Sequence, residues 1–171
     1  MRILAASVVG LCLMAGMTFG GEARYVGADK CAKMCHKAVN KGEQYGKWQE
    51  SAHAKAYTTL ATPAALETAK KAGIVGDPQK SEKCLRCHVV SVKDTVFYKD
   101  GVGCESCHGA GSAYGKLNIM KDKKQSLAAG MIEPTEKVCA KCHNSESPNY
   151  KKFVFADMVK QIAHPTPAAA K

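Results

Sequence analysis

Large aromatic side chains and long apolar runs are both scarce in this sequence. Its 171 residues include one tryptophan and four phenylalanines, which leaves little material for an ordinary side-chain core. After the first twenty residues, no segment is apolar enough to cross a bilayer, so an uncleaved N-terminal anchor is the only membrane alternative. The interior must therefore be filled largely by something other than large apolar side chains.

The first twenty residues have the pattern of a secretory signal peptide. Arg2 supplies a positive charge, residues 3–14 are apolar, and residues 18–20 place small side chains at the −3 and −1 positions of a cleavage site. Cys12 follows Leu11 rather than a small residue, which argues against lipid attachment. We therefore predict cleavage after residue 20 and export to the periplasm.

The remaining chain has the size of one domain. Removal of residues 1–20 leaves roughly 150 residues. We predict a single domain over residues 21–171, with no transmembrane segment and with a disordered tail at residues 165–171.

Acidic side chains are outnumbered by basic ones. The sequence has 25 Lys and Arg against 15 Asp and Glu, which gives a formal net charge of +10. The lysines are scattered rather than arranged in a stripe, and this distribution, like export, argues against nucleic-acid binding. The charge instead favours docking on an acidic surface of a partner protein.

Four short motifs contain eight of the nine cysteines and four of the six histidines. In each motif, a short spacer separates two cysteines, and a histidine follows the second cysteine directly. Motifs 1 to 4 are, in chain order, Cys31-Ala-Lys-Met-Cys35-His36, Cys84-Leu-Arg-Cys87-His88, Cys104-Glu-Ser-Cys107-His108 and Cys139-Ala-Lys-Cys142-His143. Motifs 2 to 4 have the C-x-x-C-H spacing of covalent haem attachment, and motif 1 has one additional spacer residue.

The motifs predict four covalently bound haem c groups. In each motif the thiols would bond to the vinyl groups of one haem, and the adjacent histidine would be the proximal iron ligand. Zinc sites and disulfide frameworks also use paired cysteines, but neither explains a histidine after every second cysteine. Bacteria attach c-type haems outside the cytoplasm, in agreement with the signal peptide.

We expect a mainly α-helical fold with much irregular structure, in which polypeptide wraps around four haems. Helices are predicted over residues 43–61, from Thr62-Pro63 to Gly73, over residues 121–129, from Pro134 into motif 4, and over residues 155–163. Residues 89–98 are the only β-like stretch and predict one short β-hairpin.

Two histidines, His53 and His164, lie outside the motifs. Four irons would each need a sixth ligand, so we predict both histidines as distal ligands. Met120 is a candidate for one of the two remaining irons, although a methionine more often fills gaps in a core. Met131 and Tyr114 are further candidates, as are a lysine and the new N-terminal amine. An iron without a sixth ligand would be open to small molecules.

Three blocks of sequence carry a resemblance to a known family. They are the segment from Trp48 to His53 with the following Ala-Lys-Ala, residues 101–109 around motif 3, and residues 155–164. Together they resemble the tetrahaem cytochrome c-554 family. The resemblance extends over most of residues 31–165.

The resemblance implies a set of iron ligands. It pairs His53 with the iron of His143 and His164 with the iron of His108, and it implies a five-coordinate iron at His88. Family members often have a further histidine after the third motif as ligand to the first haem. This chain has none between His108 and His143, so that ligand is missing.

We therefore expect an exported tetrahaem c-type cytochrome that relays electrons between a donor and an acceptor protein. This function needs no catalytic residue, and Glu105 within motif 3 is interpreted as a local polar contact. The alternatives are an enzyme that reduces a small molecule such as nitric oxide at a five-coordinate haem, and a structural subunit of a multihaem assembly.

Overall fold

The computed structural model describes residues 22–164. The predicted signal peptide and the predicted tail at residues 165–171 lie outside this range. Within it, the chain forms short helices joined by turns and irregular segments, without a β-strand. Over the same range, no helix is both long enough and apolar enough to span a membrane.

The α-helices are numbered here in chain order. They are α1 (Ala28–Cys31), α2 (Gln44–Glu50), α3 (Ala56–Thr59), α4 (Pro63–Lys71), α5 (Glu82–His88), α6 (Cys104–His108), α7 (Leu117–Met120), α8 (Lys123–Ala128), α9 (Glu136–Cys139) and α10 (Phe155–Ile162). A π-helix, Ala32–His36, continues α1, and 3-10 helices are formed by Val39–Lys41, Pro78–Lys80 and Thr95–Asp100.

Helix α4 follows the predicted capping pattern. The Thr62 side chain accepts a hydrogen bond from the Ala65 amide, and Pro63 occupies the first helical position. Gly73 follows the helix with a φ of 68°, a left-handed conformation that glycine adopts without steric cost. The predicted helices at residues 121–129 and 155–163 are also present, as α8 and α10.

The single helix predicted over residues 43–61 is wrong, because the chain breaks between α2 and α3. Ser51 ends α2 in an extended conformation. Its hydroxyl donates to the Trp48 carbonyl at 2.6 Å and accepts from the Ala54 amide at 3.4 Å. A serine that bonds its own neighbourhood in this way competes with the helical hydrogen bonds.

The predicted β-hairpin at residues 89–98 is also wrong. Thr95–Asp100 is a 3-10 helix, and the Tyr98 hydroxyl donates to the Val92 carbonyl at 2.7 Å. Val89 packs with Leu60 and Leu85 in a small buried cluster. The β-branched residues are therefore used for local packing rather than for strand pairing, as happens where tertiary contacts outweigh β-propensity.

The buried apolar core is small. Within residues 22–164, the buried hydrophobic residues are Ala28, Ala32, Leu60, Ala69, Leu85, Val89 and Tyr114. Three of these seven are alanines, so protein side chains alone provide little apolar burial for a chain of this length.

Candidate haem sites

Motifs 1 to 3 lie on short helices, and motif 4 begins at the end of one. Motif 1 extends from the end of α1 through the π-helix, motif 2 occupies the last five of the seven residues of α5, and motif 3 is α6 itself. The helix predicted from Pro134 into motif 4 is wrong in its extent, because α9 ends at Cys139, the first residue of motif 4, and the rest of the motif forms a turn. The eight cysteines of the described chain are all partly buried and free of disulfides.

The π-helix in motif 1 accommodates its additional spacer residue. In an α-helix of 3.6 residues per turn, two cysteines three residues apart are separated by about 300° around the axis. In a π-helix, with roughly 4.4 residues per turn, two cysteines four residues apart are separated by about 330°. Cys31 and Cys35 therefore keep nearly the angular relation that the shorter spacer gives in an α-helix.

Motifs 1 and 3 are in contact. The thiols of Cys31 and Cys104 lie within hydrogen-bonding reach, and this contact lowers the pKa of Cys31 and, together with burial, raises the pKa of Cys104. Helix α1 packs against α6. Two attachment points that are distant in sequence are thus neighbours in space.

Motif 4 lies next to both motif 2 and motif 3. Burial and the adjacent Cys87 raise the pKa of Cys142 to about 12, and burial and the neighbouring Cys139 raise that of Cys107. An ion pair between Arg86 of motif 2 and Glu146, just after motif 4, also joins these segments. The four motifs therefore form a continuous spatial series in the order 1, 3, 4, 2.

Each of the two histidines outside the motifs faces a motif histidine. The ring centroids of His53 and His143 are 6.0 Å apart, and those of His108 and His164 are 6.2 Å apart. Two nitrogen ligands bound at about 2 Å on opposite sides of one metal atom place their imidazole centroids about 6 Å apart. The separations therefore suit a shared iron.

Backbone carbonyls hold several imidazole rings in one orientation. His88 Nδ1 lies 2.7 Å from the Ala56 carbonyl, and His108 Nδ1 lies 3.1 Å from the Ile132 carbonyl. An Nδ1–H that donates to a carbonyl leaves Nε2 unprotonated and available to a metal. These carbonyls were missed from the sequence, because any residue type can supply one.

The half-buried histidines His53 and His108 favour the neutral form. Burial lowers the pKa of His53, and the neighbouring His143 lowers it further. Burial also lowers the pKa of His108, and the neighbouring His164 lowers it further. Neutral imidazole is the form that binds metal.

The chain before motif 3 holds His53 in place. The Val102 amide donates to the His53 carbonyl at 2.9 Å. The Trp48 indole N–H donates to the Val102 carbonyl, also at 2.9 Å. Trp48 thus links α2, the His53 segment and the approach to motif 3.

The other ligand candidates lie in different surroundings. The Met120 sulfur is 3.8 Å from the buried Ser126 hydroxyl, where α7 packs on α8. The Tyr114 hydroxyl donates to the Gly109 carbonyl at 2.7 Å, and burial raises its pKa. His36 Nδ1 lies 3.4 Å from the side-chain oxygen of Gln44. No sequence signal pointed to Gln44.

The donor set fits covalently attached haem. The described residues contain no group of three or more His, Cys, Asp or Glu side chains placed to hold a metal ion. They contain instead paired motif cysteines, which would attach a haem covalently, and paired histidines, which would bind its iron.

Comparison with known proteins agrees with these sites. The family model described as "Cytochrome c554 and c-prime" matches residues 30–109, which include motifs 1 to 3. Cytochrome c-554 of Nitrosomonas europaea is 30% identical over 191 aligned positions, which cover 88% of this chain and 78% of the relative. No solved structure matches. The chain therefore belongs to the cytochrome c-554 family, and membership implies covalently bound haem c.

Proposed function

We propose that the protein is an exported tetrahaem cytochrome that relays electrons between two redox proteins. The observation that carries the proposal is the pairing of two motif histidines with the two histidines outside the motifs, at 6.0 and 6.2 Å. Paired axial histidines close an iron to other ligands and suit it to electron transfer.

The proposal assigns one haem to each motif. The covalent attachment residues are Cys31, Cys35, Cys84, Cys87, Cys104, Cys107, Cys139 and Cys142, and the proximal ligands are His36, His88, His108 and His143. The scarcity of buried apolar side chains supports four haems as the main part of the core. The π-helix supports attachment at motif 1 despite its longer spacer.

Two irons would have bis-histidine ligation, with His53 opposite His143 and His164 opposite His108. The irons of His36 and His88 would lack a histidine partner, and Met120 stays a candidate sixth ligand for one of them. This mixed ligation would spread the four reduction potentials.

The spatial order of the motifs supports a relay. The thiols of motifs 1 and 3 and of motifs 2 and 4 lie within hydrogen-bonding reach, and the cysteines of motifs 3 and 4 are near enough to shift each other's pKa, so each haem would be close to the next. Electrons could then enter at one end of the series and leave at the other. The haems supply the redox chemistry, and the polypeptide sets their spacing, ligands and surroundings.

Motif 1 has the features of a docking edge. The exposed lysines at positions 30, 33, 37 and 41 surround it, and no acidic residue occurs between Asp29 and Glu43. An open cavity of about 330 Å³ lies against Cys35 and is bordered by Lys33 and Lys37. An acidic patch on a periplasmic redox partner would complement this surface.

The test is spectroscopy on the purified holoprotein, with haem counted by pyridine haemochromogen and intact mass. We expect four haems, with at least two low-spin ferric signals in the EPR spectrum. Replacing His164 with alanine should convert one low-spin haem to high-spin, whereas Met158→Ala on α10 should not. Fewer than four haems, or an unchanged spectrum in the histidine variant, would contradict the proposal. Nitric oxide turnover would instead favour the enzyme alternative.

A further inference from the structure

We propose that Glu105 and Asp100 form a buried acidic pair that lowers the reduction potentials of the haems at motifs 1 and 3. The inference rests on the proposed attachment of haem to these two motifs, and it concerns side chains that neither bind haem covalently nor ligate iron.

Glu105 is almost completely buried, with 4% of its surface exposed. Its carboxylate accepts hydrogen bonds from three backbone amides, those of Val26, Gly27 and Gly111, at 2.7 to 3.0 Å. Both oxygens act as acceptors, which is the arrangement of an ionised carboxylate rather than of a protonated acid.

Asp100 lies beside it and is 6% exposed. One of its oxygens accepts from the Ala28 amide at 2.9 Å, the amide that follows the Gly27 amide bound by Glu105. Among residues 22–164, no lysine, arginine or histidine nitrogen lies within 4.0 Å of either carboxylate. Their negative charge is therefore balanced by peptide dipoles and not by a cation.

The acidic pair lies where motifs 1 and 3 meet. Glu105 follows Cys104 within motif 3, and two of its three amide partners, Val26 and Gly27, immediately precede α1, which ends at Cys31. Burial raises the pKa of Tyr114, and the contact with Cys31 and burial raise that of Cys104; the negative charge of Glu105 adds to both shifts. A charge felt at these groups will also act on a macrocycle bonded to Cys104 and Cys31.

The sign of the effect follows from electrostatics. Reduction of a ferric haem adds one electron, and a nearby buried carboxylate opposes that addition. At an effective dielectric constant of about 20, a unit charge within about 10 Å changes such an equilibrium by about tenfold or more. For a one-electron couple, tenfold corresponds to about 59 mV.

Substitutions at these two residues distinguish the effect of removing a charge from the effect of disturbing the structure. Glu105→Gln removes the charge but presents an amide N–H to amides that need an acceptor. Asp100→Asn also removes a charge, while its carbonyl oxygen can still accept from Ala28. Glu82→Gln is the matched control, because Glu82 is an exposed carboxylate close to Cys84 of motif 2, where solvent screens its charge.

The experiment is a spectroelectrochemical titration of the four-haem holoprotein and the three variants, with haem content measured for each. We expect Asp100→Asn and Glu105→Gln each to raise two of the four midpoint potentials by roughly 59 mV, and Glu82→Gln to leave all four unchanged. Four unchanged potentials in Asp100→Asn, or an equal shift of all four, would overturn the inference. A wild-type protein without haem at motif 1 or 3 would instead overturn the proposed function.

Discussion

Replacing Gly101 with alanine tests how His53 is held. Gly101 has a φ of 59° and a ψ of −133°. Residues other than glycine rarely adopt this backbone conformation. A Cβ at this position would lie 2.6 Å from the His53 carbonyl oxygen and 2.8 Å from that of Ala54. Real Cβ atoms essentially never approach other atoms within 3.0 Å, so the backbone must move.

The expected cost combines two effects. Backbone strain at a position of this kind costs about 1–3 kcal/mol. The clash adds to it, because its partners are backbone atoms and no flexible side chain can move aside. Displacement of the His53 segment would also weaken the Val102–His53 hydrogen bond. We therefore expect a loss of about 3 kcal/mol or more in the free energy of unfolding.

The assay measures stability and spin state on the same samples. Denaturant unfolding gives the change in free energy, and EPR reports whether the haem proposed at motif 4 keeps its two proposed ligands. Gly73→Ala is the matched control, since Gly73 also has a positive φ, 68°, but a Cβ there would meet nothing within 4 Å. It should cost only about 1–2 kcal/mol and leave the spectrum unchanged.

One combination of results would refute the role of Gly101 in positioning His53. If Gly101→Ala unfolds no more easily than Gly73→Ala and retains all its low-spin signal, the approach to motif 3 does not position His53. A loss of stability without a change in spin state would limit the role of Gly101 to folding.

Two further predictions concern motif 1. Deleting Met34 restores a two-residue spacer between the cysteines of motif 1, so the π-helix is no longer needed. Mass spectrometry should therefore still find four haems. Loss of the haem at motif 1 would refute our account of the π-helix. Replacing Lys33 and Lys37 with glutamate should slow oxidation of the reduced protein by an anionic oxidant such as ferricyanide about tenfold at low salt and much less at 1 M salt. Lys70→Glu with Lys71→Glu, on α4, is the control with the same net charge, and an equal slowing would refute a local docking edge.

Local signals in the sequence predicted local structure well. Thr62, Pro63 and Gly73 predicted the limits of α4, because capping depends on neighbouring residues alone. The break at Ser51 and the 3-10 helix at Thr95–Asp100 were not predicted. Both depend on hydrogen bonds that a side chain can make in more than one conformation, and tertiary packing selects among them.

The proposed haem sites, too, were only partly predictable from the sequence. The spacing of cysteines and histidines predicted the attachment motifs, because that chemistry requires residues adjacent in the chain. The sequence also singled out His53 and His164 by counting. It could not reveal the carbonyls of Ala56 and Ile132 that orient His88 and His108, since a backbone carbonyl has no signature of its own.

The sequence by itself determined the chemical class of this protein, because covalent haem attachment depends on contiguous motifs and the chain belongs to the cytochrome c-554 family. Only the tertiary structure decided which motifs are neighbours, which histidines face each other, and that Glu105 is buried against the amides of Val26 and Gly27. Those relations join residues that are from tens to about ninety positions apart. They depend on how the whole chain packs, which no local pattern records.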